Sequence, residues 1–563
     1  MRIKNNYFYT LRENVKDEDS TSGNLLVKSG MIKKVGAGIY MYLPIGLKAF
    51  NNVQKVVKEE MNKAGALELL MPSLIPQEIY ESSGRVNIFG SSIFKLTDRN
   101  DRPMVLGPTH EELFTIAAKG MVRSYKDLHF TLYQISNKYR DENKLSFTRK
   151  EEFMMCDSYS FDSSFDGLNI SYDNMFHVYN NILNRLNINY LVCESDPYSM
   201  NGVYSEEVHY ICDSGSDEVV KCSNCTYTAS RMVASVYHKK KDYVIKDKKN
   251  RKVYTPYVSS ISDVAEYLHV PADSIIKTMI YKVNDDYKLI LMRGLDLVNE
   301  VKLRSLFKSE VRLASDEEIE KLGGEIGFIG PINTTLEIIA DNNVKDIING
   351  VCGSNEKNYH YINITPGYDF KVNKYADLKI FDKDDLCPIC KSKCNIFKTM
   401  EIGNLFKLGT KYSDIFNMKY SDEENNYNKV YMGSYGIGVE RLLYSVVSAN
   451  RDDRGINFPM CVAPYLVSII VVNMNDREAF RYASTLYNKL INIGIDTILD
   501  DRKVSAGVKF KDNDLIGIPV QIIVGYMQSE NKIEFKLRND NIIEIIDKAE
   551  VISKIQNSVN LEN

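Results

Sequence analysis

Two C-x-x-C pairs, Cys222 and Cys225 in "CSNC" and Cys387 and Cys390 in "CPIC", stand about 160 residues apart. Such pairs supply the two halves of a tetrahedral zinc site. A simple zinc ribbon cannot span that separation, so joining the pairs requires the chain between them to leave and return at adjacent points. That chain has its own strands ("SIIKTMIYKV", "DYKLILMRG") and helix ("SDEEIEKLGG"). It reads as an α+β domain, residues 222–390, inserted into another domain. Zinc would clip its base; the alternative is four reduced thiols at a loop junction.

A chain of 563 residues is too long for one core, and three or four domains are expected. Charged residues at 26% and hydrophobic ones at 44% are ordinary for a globular protein. The net charge of −4 argues against a surface built throughout to hold nucleic acid, although local basic faces stay possible. Residues 238–252, "HKKKDYVIKDKKNRK", are one candidate face, with a solvated loop as the plainer reading. The N-terminus "MRIKNNYFYTLREN" has no apolar core of a signal peptide, and no stretch reaches the length of a membrane span. A cytoplasmic protein with reduced thiols is expected, so the ten Cys are thiols or metal ligands, not a disulfide framework.

Helical spacing of Leu47, Phe50, Val53, Val56, Val57 and Met61 predicts an amphipathic helix over 46–64, with Gly65 as its stop. "ALELLMPSL" then reads as a short strand closed at Pro72. Two extended segments, "LHFTLYQISNKYR" and "EEFMMCDSYSF", flank the polar loop "DENKLSFTRK" and predict an antiparallel hairpin. "MGSYGIGVERLLYSVVSA" predicts a Gly-rich strand turning into a helix. The last hundred residues alternate "YLVSIIVVN", a helix over "REAFRYASTLYNKLINIG", "IDTILDD" and "PVQIIVG", the rhythm of a small α/β sheet.

The hairpin delivers Arg140, Glu142, Arg149 and Phe153 from one short stretch. Ion pairs on a surface hairpin would account for the charges. A nucleotide accounts for all four residues, because a triphosphate takes Arg forks and a purine takes a flat ring. "PTHEEL" offers a further T-x-E, Thr109 and Glu111, which reads equally as a helix N-cap box from Thr109 to Glu112.

Together these stretches resemble class II aminoacyl-tRNA synthetases. Arg140 with Glu142 and Arg149 with Phe153 match the two halves of motif 2; Gly436, Gly438, Glu440 and Arg441 match motif 3; Pro72 fits motif 1. Neither ATP signature of the class I enzymes, of HIGH or KMSKS type, occurs. Within class II the chain is similar to the bacterial-type prolyl-tRNA synthetases over essentially its whole length. The stretches that carry this are "GMIKKVGAGIYMYLPIGLK", "VLGPTHEELFT", "YQISNKYRDE", "EIGNLFKLGTKYS", "GSYGIGVERLL", "DDRGINFPMCVAPY" and "DDRKVSAGVKFKDNDLIGIPVQIIVG".

The resemblance implies an α/β and α+β multidomain chain. Its parts are an antiparallel-sheet catalytic core in two pieces, 1–221 with motifs 1 and 2 and 391–461 with motif 3; an inserted α+β editing domain, 222–390; and an α/β anticodon-binding domain, 462–563. It implies ligation of L-proline to its tRNA through prolyl-adenylate, using ATP and Mg2+, by a homodimer. Arg140 would clamp the α-phosphate and the substrate carboxylate, Arg149 and Arg441 the outer phosphates, and Phe153 and Arg441 would sandwich the adenine, with Glu142 and Gly438 also at the nucleotide. Thr109, Glu111, Asn404, Gly433, Ser434 and Gly436 would line the proline pocket, the glycines letting the strand approach the substrate. In the insertion, hydrolytic editing of alanyl-tRNA would use Lys277 at phosphate, His360 at the alanine pocket, and the backbone N–H groups of Gly327 and Gly330 at the ester. In the last domain Arg502, Lys503, Lys509 and Lys511 are available to the anticodon. The Cys pairs occur in some bacterial relatives and not in others, which implies a structural metal.

Three departures from the family pattern bear on proline affinity and specificity. The loop from Glu142 to Arg149 is about two residues short, with Lys144 where Arg is common; Asn404 replaces a His; and "YSEEV", with Glu206, stands where "SHEF" is usual. Two other readings share much of this pattern: a class II synthetase for another small amino acid, and a non-catalytic paralogue that binds tRNA. The intact phosphate-binding residues speak against the second.

Overall fold

The computed structural model describes residues 1–563 apart from 17, 19, 143–144, 201, 239–247, 541 and 561–563. Lys144 and most of the basic stretch 238–252 therefore lie outside the described residues.

The expected hairpin is Phe130–Tyr139 paired antiparallel with Glu152–Asp162, and it forms the centre of a nine-stranded sheet. Glu152–Asp162 pairs next with Tyr431–Gly438, and that strand with Cys394–Gly409. Side chains alternate across a strand, so register decides which residues share a face. Gln134 lies opposite Asp157, Lys138 opposite Phe153, and Asp157 opposite Gly436. Phe153, Asp157, Tyr159, Ser434, Gly436 and Gly438 thus fall on one face. Tyr435 and Gly433 fall on the other, which is covered by the helix Phe165–Arg185 through contacts such as Tyr172 on Tyr435.

The helix expected over 46–64 runs Pro44–Lys63 and buries Phe50, Val53, Val56, Val57 and Met61. Leu47, expected on that buried face, is 46% exposed. The strand expected to close at Pro72 is shorter: only Leu67–Glu68 pairs, parallel to Leu132 and Tyr133. The Met71 N–H donates to the Gln134 side chain instead of a neighbouring backbone, and Pro72 has no N–H with which to continue.

The insertion has its own sheet, running from Arg251–Tyr254 to Lys374–Ala376, over a core that includes Ile276, Ile280, Leu289, Leu291 and Ile338. Its root is in the core sheet: Asp217–Cys222 pairs with Cys394–Gly409, with Cys222 opposite Cys394. The chain leaves and returns at neighbouring strand ends.

In the C-terminal domain three parallel strands, Val467–Val471, Thr497–Asp500 and Val520–Val524, continue antiparallel into Lys532–Leu537 and Ile543–Asp547. The segment "DDRKVSAGVKFKD" departs from its expected role. Lys509 is fully buried, donating to the carbonyls of Val471 at 2.7 Å and Asp500 at 3.3 Å. Arg502 is held by Asp500 at 2.6 Å and Asp512 at 2.8 Å. Lys503 and Lys511 are exposed, so of the four only these two face solvent without a structural duty.

Candidate active site

Motif 2 and motif 3 residues meet at one cleft, walled by Arg140, Glu142, Arg149, Phe153, Glu401, Asn404, Gly438 and Arg441. Its cations are positioned by backbone carbonyls. Arg140 donates to Pro108 O at 3.1 and 3.3 Å, with its guanidinium 5.3 Å from the centre of the Phe153 ring. Arg441 donates to Thr148 O at 3.0 Å and Glu401 O at 2.7 Å, and its guanidinium lies 3.3 Å from the Glu401 carboxylate. Arg149 is held more loosely, 4.0 Å from Glu142 and 3.8 Å from Asp217. Burial works against the charge of Arg140, Glu401 favours it, and Arg441 opposes it. Cations so crowded are stabilised by a polyanion laid between them.

Glu440 also lines this cleft. It pairs with the buried Lys150, whose ammonium lies over the rings of Phe147 and Tyr42. This pair stands at the start of the helix Val439–Ala449, beside Arg441.

Beyond the Pro108 carbonyl that holds Arg140 lies a buried polar cluster. Thr109 Oγ1 donates to Glu111 Oε2 at 2.7 Å and Ser434 Oγ to Glu111 Oε1 at 3.1 Å. The helix Glu111–Lys119 has His110 at its cap position with no side-chain bond, so the cap-box reading of Thr109 does not hold. Arg85, which the sequence reading missed, lies between Glu111 at 2.5 Å and Glu112 at 3.3 Å, with all three side chains buried. Burial works against the Glu111 carboxylate, but Arg85 and Thr109 outweigh it and hold its carboxyl below the usual range. Glu112 goes the other way, raised by burial and by the charge of Glu111. One Arg thus keeps one of two adjacent carboxylates firmly ionised.

Also buried, Asp157 forms an ion pair with Lys138 at 2.6 Å and accepts from Gln134 at 3.1 Å and the Tyr159 hydroxyl at 3.2 Å. Burial opposes its charge, yet Lys138 and His110 bring the carboxyl down to about 2. Asp157, Lys138 and Tyr159 were likewise missed. Their alternation on paired strands was the available signal, since Lys138, Asp157 and Tyr159 share the face of Phe153.

Gly436 faces Asn404: a Cβ there would meet Asn404 Oδ1 at 2.9 Å. Asn404 in turn donates to Glu401 at 2.9 Å. Gly433 is corrected. It lies on the far face, where its missing side chain makes room for the Tyr435 hydroxyl, 2.0 Å from where a Cβ would stand. Glu206 also lies away from the cleft, accepting from the Tyr172 hydroxyl at 2.7 Å.

A second cleft, in the insertion, is lined by Lys277, Thr278, Ser259, Gly327, Gly353 and His360. Lys277 donates to Asp296 O, and burial lowers its ammonium from the usual range. His360 sits 2.7 Å from the Thr255 hydroxyl and burial brings its ring down to about 4, which makes it neutral at pH 7. Gly327 has φ +83°, which favours glycine. Gly330 differs from expectation, because its N–H donates to Asn355 Oδ1 at 2.8 Å and is not free to meet an ester. A Cβ at Gly330 would lie 1.8 Å from the Gly353 carbonyl, so close packing of two backbones is what requires the glycine there.

At the root of the insertion Cys222, Cys225, Cys387 and Cys390 place their four sulfurs within 4.8 Å of one another. Cys222 and Cys390 are 3.4 Å apart, Cys225 and Cys387 3.6 Å, and the N–H groups of Asn224 and Cys225 point at the Cys222 sulfur. Four converging sulfurs with backbone donors behind one of them fit a tetrahedral zinc ion.

Known families match each part. The tRNA synthetase class II core domain (G, H, P, S and T) matches residues 94–262 and 332–450, the aminoacyl-tRNA editing domain 255–370, and the anticodon binding domain 466–558. The proline–tRNA ligase of Sulfurihydrogenibium sp. (strain YO3AOP1) is 41% identical over 550 residues, 97% of either chain. That of Thermotoga maritima is 40% identical over 542 residues, covering 96% of this chain and 94% of the relative. In overall fold the chain is similar to a Giardia lamblia prolyl-tRNA synthetase solved in complex with prolyl-adenylate. The TM-score is 0.58 at 14% identity, covering 96% of this chain and 78% of that one. A Cryptosporidium parvum prolyl-tRNA synthetase gives 0.58 at 13%, covering 98% and 80%.

Proposed function

The chain belongs to the bacterial-type proline–tRNA ligases, and we propose that its Arg-walled cleft and the adjoining Glu111 pocket are where L-proline is activated by ATP and passed to its tRNA. What carries this reading is the convergence of Arg140, Arg149, Arg441 and Phe153 on one cleft, with an ionised, fully buried Glu111 beside it.

In the first step a proline carboxylate oxygen attacks the α-phosphorus. The new O–P bond forms as the bond to pyrophosphate breaks, giving prolyl-adenylate. Negative charge grows on the phosphoryl oxygens, and fixed cations in a partly dry cleft stabilise it without reorganising. Arg140 sits between the two subsites and holds the α-phosphate and the carboxylate together. Arg149 and Arg441 take the outer phosphates, and Phe153 offers a flat face to the base. Mg2+, when bound, neutralises phosphate charge. Glu401, with Glu142 nearby, supplies the oxygen donors that a hard cation prefers. Thr109 and Ser434 fix the orientation of Glu111, whose charge attracts the secondary ammonium of proline. In the second step a terminal ribose hydroxyl of the tRNA attacks the prolyl carbonyl and AMP leaves.

Hydrolysis of alanyl-tRNA belongs to the insertion. A pocket sized for proline rejects the smaller alanine weakly, because missing methylenes give only about 1–3 kcal/mol of discrimination. Lys277 is the cation for a tRNA phosphate and neutral His360 lines the small pocket. The test compares exchange of pyrophosphate into ATP across the amino acids with loss of alanine from alanyl-tRNA for proline. Proline should support exchange best. Lys277→Ala should slow deacylation at least tenfold while leaving exchange intact. Exchange driven better by another small amino acid, or deacylation no faster than in buffer, would overturn the corresponding half.

The Cys222, Cys225, Cys387 and Cys390 cluster holds a structural zinc ion. The chain acts as a cytoplasmic homodimer. Supporting this, Leu67 on the terminal strand of the core sheet, Leu70 just after it and Leu74 at the start of a neighbouring three-stranded sheet are 59%, 77% and 46% exposed, an apolar surface that a second copy would cover. Among the described residues no helix is long and apolar enough to cross a membrane. Sedimentation should give twice the mass of one chain, and a single-chain mass at micromolar concentration would refute the dimer.

A further inference from the structure

A second set of metal-type donors lies on the core sheet, away from the four-cysteine cluster. Cys193 on Tyr190–Glu194 and Glu207 on Tyr204–Ile211 are direct cross-strand partners. His209 follows two residues later on the same face. The Cys193 sulfur, a Glu207 oxygen and a His209 ring nitrogen lie within 4.8 Å of one another. Cys193 and His209 are 2% and 1% exposed.

The ring of His209 is fixed as a ligand's ring is fixed. Nδ1 lies 3.0 Å from the Thr399 hydroxyl, and Nε2 lies 2.9 Å from Glu207. When the Thr399 oxygen accepts from Nδ1, the lone pair of Nε2 is left facing the cluster, an arrangement that orients imidazole toward a metal. Glu207 also lines a cavity of about 530 Å³ where the core meets the insertion, whose wall carries Asp196, Asp217, Glu218 and Glu401 as well. Among the described residues Arg231 is the one cation on that wall, and it is engaged with Glu218 at 2.5 Å. The cavity is therefore rich in negative charge beside the donors.

We infer that Cys193, Glu207 and His209 bind a divalent cation of the zinc class, with its fourth position open to this cavity. Thiolate and imidazole donors select zinc over magnesium, whose preference is for oxygen alone. Three protein donors with one open position make an exchangeable site, unlike the closed four-sulfur cluster. The site is next to the activation cleft, since His209 lies opposite Glu401 in the sheet.

The test is metal content. The full-length chain is stripped with a chelator, reloaded with Zn2+ and desalted, and its zinc is counted for wild type, Cys193→Ala and His209→Ala. Each variant should hold one zinc ion per chain fewer than wild type, whatever the four-cysteine cluster holds. Equal zinc content in wild type and both variants overturns the site. Should either variant fail to fold, Co2+ titration of wild type decides. A species with a single thiolate and a histidine ligand should appear beside any four-thiolate spectrum, and its absence at saturating Co2+ overturns the proposal.

Discussion

Replacing Arg441 or Arg140 by Ala should reduce proline-dependent pyrophosphate exchange by about a thousandfold or more, the loss that follows when a cation stabilising transferring phosphate is removed. Both guanidinium groups are held by backbone carbonyls, Arg140 at Pro108 and Arg441 at Thr148 and Glu401, so their geometry exists before ATP arrives. The two variants should differ in detail. Arg441→Ala also frees the Glu401 carboxylate from its 3.3 Å partner, leaving an extra negative charge where the triphosphate lies, and should raise KM for ATP. Arg140→Ala touches both subsites and should fall mainly on kcat. Lys at either position should rescue poorly, because a point charge does not reproduce a fork. Exchange within tenfold of wild type in either Ala variant would remove the assigned role.

The second large effect is expected at Arg85. Its guanidinium separates Glu111 and Glu112, lies 4.9 Å from the Phe89 ring, and is 1% exposed. Arg85→Met fills similar space but leaves two buried carboxylates without a cation, at a cost of about 3–5 kcal/mol. One carboxylate must then take up a proton. Glu112 already sits above the usual range and Glu111 below it, so Glu112 is the one to do so. The double variant Arg85→Met, Glu112→Gln should therefore regain part of the lost stability, while affinity for proline stays low. Urea unfolding and KM for proline read the two effects separately. Unchanged stability in the single variant, or no recovery in the double, would show that Arg85 does not serve the pair.

The hairpin was legible because two alternating strands flank a short polar loop; Phe153 stands on the second strand, and Arg140, Glu142 and Arg149 lie in the loop, which brings all four to one cleft. The same alternation could have separated Gly433 from Gly436. Motif matching gave both glycines one role, whereas parity puts Gly433 against the Tyr435 hydroxyl. Arg85 left no trace. It stands in the five-residue helix Arg85–Phe89, too short for a period to show, and its partners lie in another element. The helix Ala506–Ile516 was missed for a different reason. Its buried side is built from Lys509, Asp512 and Asn513 together with Leu515 and Ile516, so an apolar stripe is absent and the residues that look most available to RNA include one at the centre of the fold. Gly330 shows the same limit at the second cleft: a glycine in a matching motif was read as a donor to substrate, while close approach to the Gly353 carbonyl explains why it is glycine.

The antiparallel pairing of Asp217–Cys222 with Cys394–Gly409 has a consequence for the order of events during synthesis. Joining those strands across a random chain of about 170 residues carries a closure entropy that grows with the logarithm of loop length. The insertion lies wholly within that loop, and it emerges from the ribosome before the second strand does. Once it has folded, its two ends stand side by side, and the core sheet closes as though the loop were about ten residues long, a difference of about 2–3 kcal/mol. The domain that sits farthest from proline activation in sequence logic thus prepares the sheet on which activation depends.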